Sequence, residues 1–227
     1  WNTTVSDLLF RALTQSDNTA NDRLLTLVGG PQAVRSFIER KQLGDIRFGP
    51  GERLLQAGTA GLTWDQSMSV GNTFAVMRAR LDPGVRAAAL QRYIDNPPDG
   101  AAPLAIADAL SRLARGELLS ETSTRLLIST MESSRTGRAR LKAGAAPGWT
   151  LAHKTGTGQE LGRRNAGFND VGLLTSPDGR RYAVAVMIGD TERPMRERQQ
   201  LIQAVAATVT GYRGPTIAAV EDEAPES

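Results

Sequence analysis

The stretch RYAVAVMIG, residues 181–189, narrows most sharply what this chain can fold into. Tyr182, Val184, Val186 and Ile188 alternate with Ala183, Ala185 and Met187, so a strand here is apolar on both faces. Such a strand must lie in a sheet covered on both sides by helices, which excludes a sheet with one solvated face. DVGLLTS precedes it across Pro177-Asp178-Gly179, a turn signal, and the two runs read as a hairpin. WTLAH, after Gly148, reads as a further strand. One cover is a final helix carrying Met195, Leu201, Ile202, Val205 and Val209.

Before Gly148 the period is helical. Val5, Leu8, Leu9, Ala12 and Leu13 share a face, and Leu24, Leu25 and Val28 mark a second helix stopped at Gly29-Gly30. Pro31 opens a third with Val34, Phe37 and Ile38. From Gly44 to about Gly71 the period fades, and a long irregular loop containing Glu52 is expected. Helices then follow at Phe74, Met77 and Leu81, at Val85, Ala89 and Tyr93, and, beyond NPPDG, at Leu104, Ile106, Leu110 and Leu113. Ser120 is the expected N-cap of a helix burying Leu126, Leu127 and Met131. The fold class is α/β (α+β), divided into a mainly helical region at 1–137, a sheet hairpin with its helix at 138–213, and a disordered acidic tail at 214–227.

Composition removes several chemistries. There is no cysteine, hence no disulfide or thiolate, and His153 is the single histidine. A multi-histidine zinc site is excluded, no metal or cofactor is expected, and proton transfer must lean on Lys, Glu, Asp or a hydroxyl. No run is long enough for a membrane span. The 27 Lys and Arg are scattered and aromatics make up 5 %, so the basic residues read as a solvated surface, with no nucleic-acid partner.

Residues 152–158, AHKTGTG, place a cation, two hydroxyls and two glycines at the end of an expected strand. Lys154, Thr155 and Thr157 can hold a carboxylate, and Gly156 lets an extended ligand lie against the strand edge. Far upstream, Ser16, Asp17 and Asn18 read SDN. SDN and KTG in this order are a signature of serine β-lactamases and penicillin-binding proteins. SDNTANDRLLTLVGGPQAVRSFI, GELLSETSTRLLISTM, the Gly148-Trp149 pair before LAHKTGTG, and RERQQLIQAV resemble class A β-lactamases. The resemblance runs through residues 1–213, apart from a segment at about 57–100 that looks inserted.

The resemblance implies a β-lactamase/transpeptidase-like fold and roles position by position. Ser16 would relay a proton to the leaving nitrogen with Lys154 beside it, Asn18 would bind the substrate amide, and Asp17 would be structural. Thr155, Gly156 and Thr157 would form the carboxylate and strand-edge subsite, with the Thr157 N–H in an oxyanion hole. GERLLQ resembles the family's Glu-x-x-Leu-Asn motif with Gln56 in place of asparagine, which would make Glu52 the residue that activates the deacylating water. His153 is expected to be a packed or solvated strand residue.

No serine is followed three residues later by lysine, so the family's Ser-x-x-Lys nucleophile is absent from these residues. The expectation is a C-terminal portion of a longer protein, lacking an N-terminal helix and two strands, and inactive toward β-lactams by itself. The resemblance further implies a monomer, export to the periplasm or cell exterior, and a β-lactam or peptidoglycan stem peptide as ligand. A DD-peptidase-like relative and a non-catalytic peptidoglycan-binding relative are the competing readings.

Overall fold

A computed structural model describes residues 3–212. Three helices come first, α1 (Val5–Gln15), α2 (Asn18–Leu27) and α3 (Gly30–Arg40), the last with proline in its first turn as expected. The short strand β1 (Ile46–Arg47) leads to α4 (Glu52–Ala60), then α5 (Thr73–Ala79) and α6 (Pro83–Asp95). β2 (Gly100–Ala101) pairs antiparallel with β1, so the segment between them is tied at its neck. Next come α7 (Pro103–Ala114), α8 (Glu121–Glu132), α9 (Leu141–Gly144) and β3 (Thr150–Thr157). A two-stranded ribbon, β4 (Glu160–Leu161) with β5 (Arg164–Asn165), precedes the hairpin β6 (Phe168–Thr175) and β7 (Arg181–Ile188), and α10 (Met195–Gly211) follows.

The main sheet has the order β3-β6-β7, antiparallel throughout, with the hairpin closing at Thr175 opposite Arg181. Both faces are covered, as the apolar alternation requires. On one face Phe168, Leu174, Val184 and Val186 pack with Leu141, Ile202 and Ala206 from α9 and α10. On the other, Ala152 and Leu173 pack with Met131, Leu13, Leu110 and Ala114 of the helical side. Adjacent residues Leu173 and Leu174 thus serve opposite cores, each burial contributing about 1.5–3 kcal/mol. Gly172 makes this close pairing feasible, because a Cβ there would meet the Ala152 carbonyl at 2.3 Å.

Two expectations fail. The stretch expected to be a loop from Gly44 to Gly71 contains α4 and a 3₁₀ turn at Gln66–Ser69, and Glu52 begins a helix. The local sequence has no capping side chain before α4. Asp22 of α2 supplies one, accepting from Glu52 N at 2.9 Å and Arg53 N at 3.0 Å. Several apolar residues assigned to buried faces are exposed, Leu104 at 80 % and also Val5, Val28, Leu126, Met195 and Leu201. In α10 the buried positions are Arg198, Ile202, Ala206 and Thr210. Leu104, in the first turn of α7, lies beyond the reach of the packed neighbours. The acidic tail expected at 214–227 lies outside the described residues. No helix among the described residues is long and apolar enough to cross a membrane.

Candidate active site

Between α1 and α2 only Ser16 and Asp17 turn the chain. Ser16 adopts the left-handed region, φ 59° and ψ 38°, a conformation costing a non-glycine residue about 1–2 kcal/mol. Asp17 is extended and caps α2, its carboxylate accepting from Ala20 N at 3.0 Å. This corner points the Ser16 hydroxyl at β3, where Lys154 Nζ donates to Ser16 Oγ at 2.6 Å and to the Thr155 carbonyl at 2.7 Å. Two segments 138 residues apart therefore face each other across one cleft. Burial holds the Lys154 ammonium below its ordinary pKa, opposed by the charge of Glu52 and assisted by that of Arg140.

Behind the lysine, β3 is held by buried polar groups. His153 is 2 % exposed and its Nδ1 lies 2.8 Å from Asp170 Oδ1, while Asp170 Oδ2 accepts from Leu141 N at 3.1 Å. His153 is thus a packed strand residue. Arg140 donates to the carbonyls of Gly156 at 2.8 Å and Asn169 at 2.6 Å and to Thr157 Oγ1 at 2.6 Å, with its guanidinium 3.8 Å from the Phe168 ring centroid. Desolvation depresses the Arg140 pKa. Thr136 and Thr155 share a hydroxyl hydrogen bond of 2.8 Å. Gly137 is needed beside them, since its φ is +69° and a Cβ would meet Thr155 Cγ2 at 2.4 Å.

Glu52 forms the facing wall. Burial raises its carboxyl above the ordinary 4.5; a hydrogen bond from Gln56 and the charge of Lys154 pull it down, and Asp22 and Asp99 push it up. Gln56 Nε2 lies 3.5 Å from Glu52 Oε2, one helical turn on. Tyr93 donates its hydroxyl to Asp99 Oδ1 at 3.1 Å, and burial with the charges of Asp99 and Glu52 drives the phenol pKa upward.

A cavity of about 540 Å³ opens between these walls. Ser16, Asn18, Glu52, Lys154, Thr155, Gly156 and Thr157, the residues the sequence singles out, all line it. So do Tyr93, Asp99, Thr136 and Arg140, which sequence reasoning missed. Arg140 corrects the reading of the arginines as a solvated surface, as does Arg198, 6 % exposed, with its guanidinium 5.3 Å from the Phe168 ring centroid and bonds to the Arg193 carbonyl and Glu160. The bases RTGRAR at 135–140 were visible, but which of them turns inward depends on contacts across the sheet. The cavity joins a serine hydroxyl, an amine and a carboxyl, a set suited to moving protons around a bound acyl group. Among the described residues no group of three or more His, Asp or Glu is arranged to hold a metal ion.

Residues 2–212 match the family model described as "Beta-lactamase enzyme family". The extended-spectrum β-lactamase PER-1 of Pseudomonas aeruginosa is 30 % identical over 204 residues, covering 90 % of this chain and 55 % of that relative. The β-lactamase CTX-M-25 of Escherichia coli is 30 % identical over 214 residues, covering 92 % of this chain and 59 % of its own length. The chain spans little more than half the length of these curated relatives. The crystal structure of the TLA-1 extended-spectrum β-lactamase superposes with a TM-score of 0.69 at 24 % identity, over 91 % of this chain and 63 % of that one. A β-lactamase structure from Chitinophaga pinensis superposes with a TM-score of 0.67 at 22 % identity, over 92 % and 64 %. At these identities the structural likeness speaks for the fold.

Proposed function

Because the chain belongs to the β-lactamase enzyme family, we propose that it supplies the proton-relay and carboxylate-binding walls of a class A-like serine β-lactamase. The observation that carries this reading is the 2.6 Å contact from Lys154 Nζ to Ser16 Oγ, made in a cleft that Glu52 also lines. Since the ammonium donates to Ser16 Oγ, the serine's own hydrogen is free to point at the substrate. As the scissile amide nitrogen leaves, Ser16 gives it that proton and takes one from Lys154. Lowering the lysine's pKa by burial eases the second transfer. Thr155, Thr157 and Arg140 face a substrate carboxylate, Asn18 its amide side chain, and the Thr157 N–H the developing oxyanion.

Glu52, with its carboxyl raised by burial, is the base for the water that releases the acyl group. The attacking serine belongs to a Ser-x-x-Lys segment that residues 1–227 do not contain, so these residues alone form no covalent adduct with a penicillin. The complete protein works in the periplasm or outside the cell as a monomer, on small β-lactams. The test is Glu52→Gln in the complete protein. Mass spectrometry after a penicillin is added should find an acyl adduct that persists, with hydrolysis slowed about 10²–10⁴-fold. Unchanged turnover would sink the assignment of Glu52 and favour a DD-peptidase-like relative.

A further inference from the structure

Within the segment between β1 and β2, a line of side-chain hydrogen bonds joins Arg78 to Glu52 by way of Gln159, which lies outside that segment. Arg78 of α5 donates from Nη1 to Gln159 Oε1 at 2.9 Å, and Gln159 Nε2 donates to Gln56 Oε1 at 2.5 Å. Gln56 Nε2 then faces Glu52 Oε2 at 3.5 Å. Arg78 is 81 residues from Gln159, and Gln159 is 103 from Gln56, so only the last link, within α4, is local. The guanidinium is also placed 5.6 Å from the Phe74 ring centroid.

The direction of the line follows from donor and acceptor counts. A side-chain amide has an oxygen end and an NH₂ end of nearly equal shape, and its orientation is set by its neighbours. Arginine only donates, so Gln159 must turn its oxygen to Arg78, leaving its NH₂ for Gln56. Gln56 must then turn its oxygen to Gln159 and its NH₂ to Glu52. A reversed amide anywhere in the line would set donor against donor or acceptor against acceptor.

We propose that Arg78 is a positioning residue which, through Gln159, fixes the Gln56 amide so that it donates to the Glu52 carboxylate. The ionised carboxylate is the form that accepts, so the relay favours the state of Glu52 able to take a proton from water. The kinetic consequence rests on the reading of Glu52 as that base; the relay itself does not. Other groups act on the same carboxyl and stay constant in the comparison: Asp22 on α2, Asp99 beyond α6, and Lys154 on β3.

The experiment follows the Glu52 side-chain carboxyl by ¹³C NMR through a pH titration of the full chain, assigned by the signal lost in Glu52→Gln. Gln159→Leu, which alters no charge, should raise the Glu52 midpoint by about half a pH unit, because Gln56 is then free to reverse. Arg78→Met should do the same, and the double variant should add nothing to either. Arg78→Lys, whose ammonium also only donates, should restore the original midpoint. A midpoint that Gln159→Leu leaves in place, or effects that sum in the double variant, would mean that Arg78 acts only by its charge and would overturn the proposal. Should Arg78→Met fail to fold, the Gln159→Leu titration decides alone. Failure here leaves the acyl-trapping test of Glu52 untouched, and failure there leaves this titration interpretable.

Discussion

Along β3 the cleft residues sit on a backbone ladder, with Thr150 to Thr157 paired one by one against Thr175 to Phe168. The Arg140 guanidinium and the buried Asp170 clamp that ladder from the α9 side. Across the cleft, Glu52 stands in the first turn of α4, capped by Asp22 and steadied by the Gln56, Gln159 and Arg78 side chains. The neck of its segment is two residue pairs, Ile46 with Ala101 and Arg47 with Gly100. One wall is therefore fixed by repeated main-chain bonds and the other by single side-chain bonds between distant residues. Small changes of sequence should be absorbed by the first and felt by the second, unless they strike its buried polar groups.

The comparison can be broken most severely at Lys154. If Lys154 takes the role proposed for it, Lys154→Met should leave the ladder intact yet lower the rate of acylation by a chromogenic β-lactam about 10²–10⁴-fold, in stopped-flow measurements on a protein that includes the Ser-x-x-Lys segment. Loss of the fold with the rate would show that the lysine also supports the wall. Next in size is Asp170→Ala, which leaves the Leu141 N–H and His153 Nδ1 buried without their partner. Urea unfolding should register a loss of about 2–4 kcal/mol. Asp22→Ala, on the other wall, removes a cap and an ion pair with the half-exposed Arg53 and should cost about 1–2 kcal/mol in the same assay. An order reversed between these two would contradict the account of which wall carries more of the stability.

The smallest effect concerns pH. Burial raises the Glu52 carboxyl above 4.5, so between that value and its raised folded value the native state binds more protons than the unfolded one. Stability should consequently fall as pH rises through this window, from a contribution fully present below 4.5. Glu52→Gln should flatten that slope and be relatively more stable above the window. A Glu52→Gln variant whose stability tracks the parent at every pH would remove Glu52 from the electrostatics of the cleft.

Much of the sheet wall is legible in the residues themselves. The alternation from Tyr182 to Ile188, the Pro177-Asp178-Gly179 turn and the KTG strand end all depend on neighbours one or two positions away, and each appears where expected. The helical wall is legible only in part. Pro50-Gly51 reads as a loop because the side chain that caps α4 comes from Asp22, and α4 forms because that carboxylate satisfies its first free N–H groups. Exposed Leu104 and Leu126 were misplaced for a related reason: a periodic apolar residue is buried only if another element reaches it.

For the site, the sequence by itself determined which chemistry was present. SDN and KTG supply a hydroxyl, an amide and an ammonium, and the absence of cysteine with a single histidine rules out most alternatives. Tertiary structure alone decided that Ser16 meets Lys154, that Arg140 and Arg198 turn inward, that Tyr93 and Asp99 line the cleft with Glu52, and that Gln159 meets Gln56. The physical reason is range. Backbone periodicity and turn chemistry act over a few residues and are written in order along the chain, whereas a hydrogen bond between side chains 81 or 138 positions apart exists only once the chain has packed.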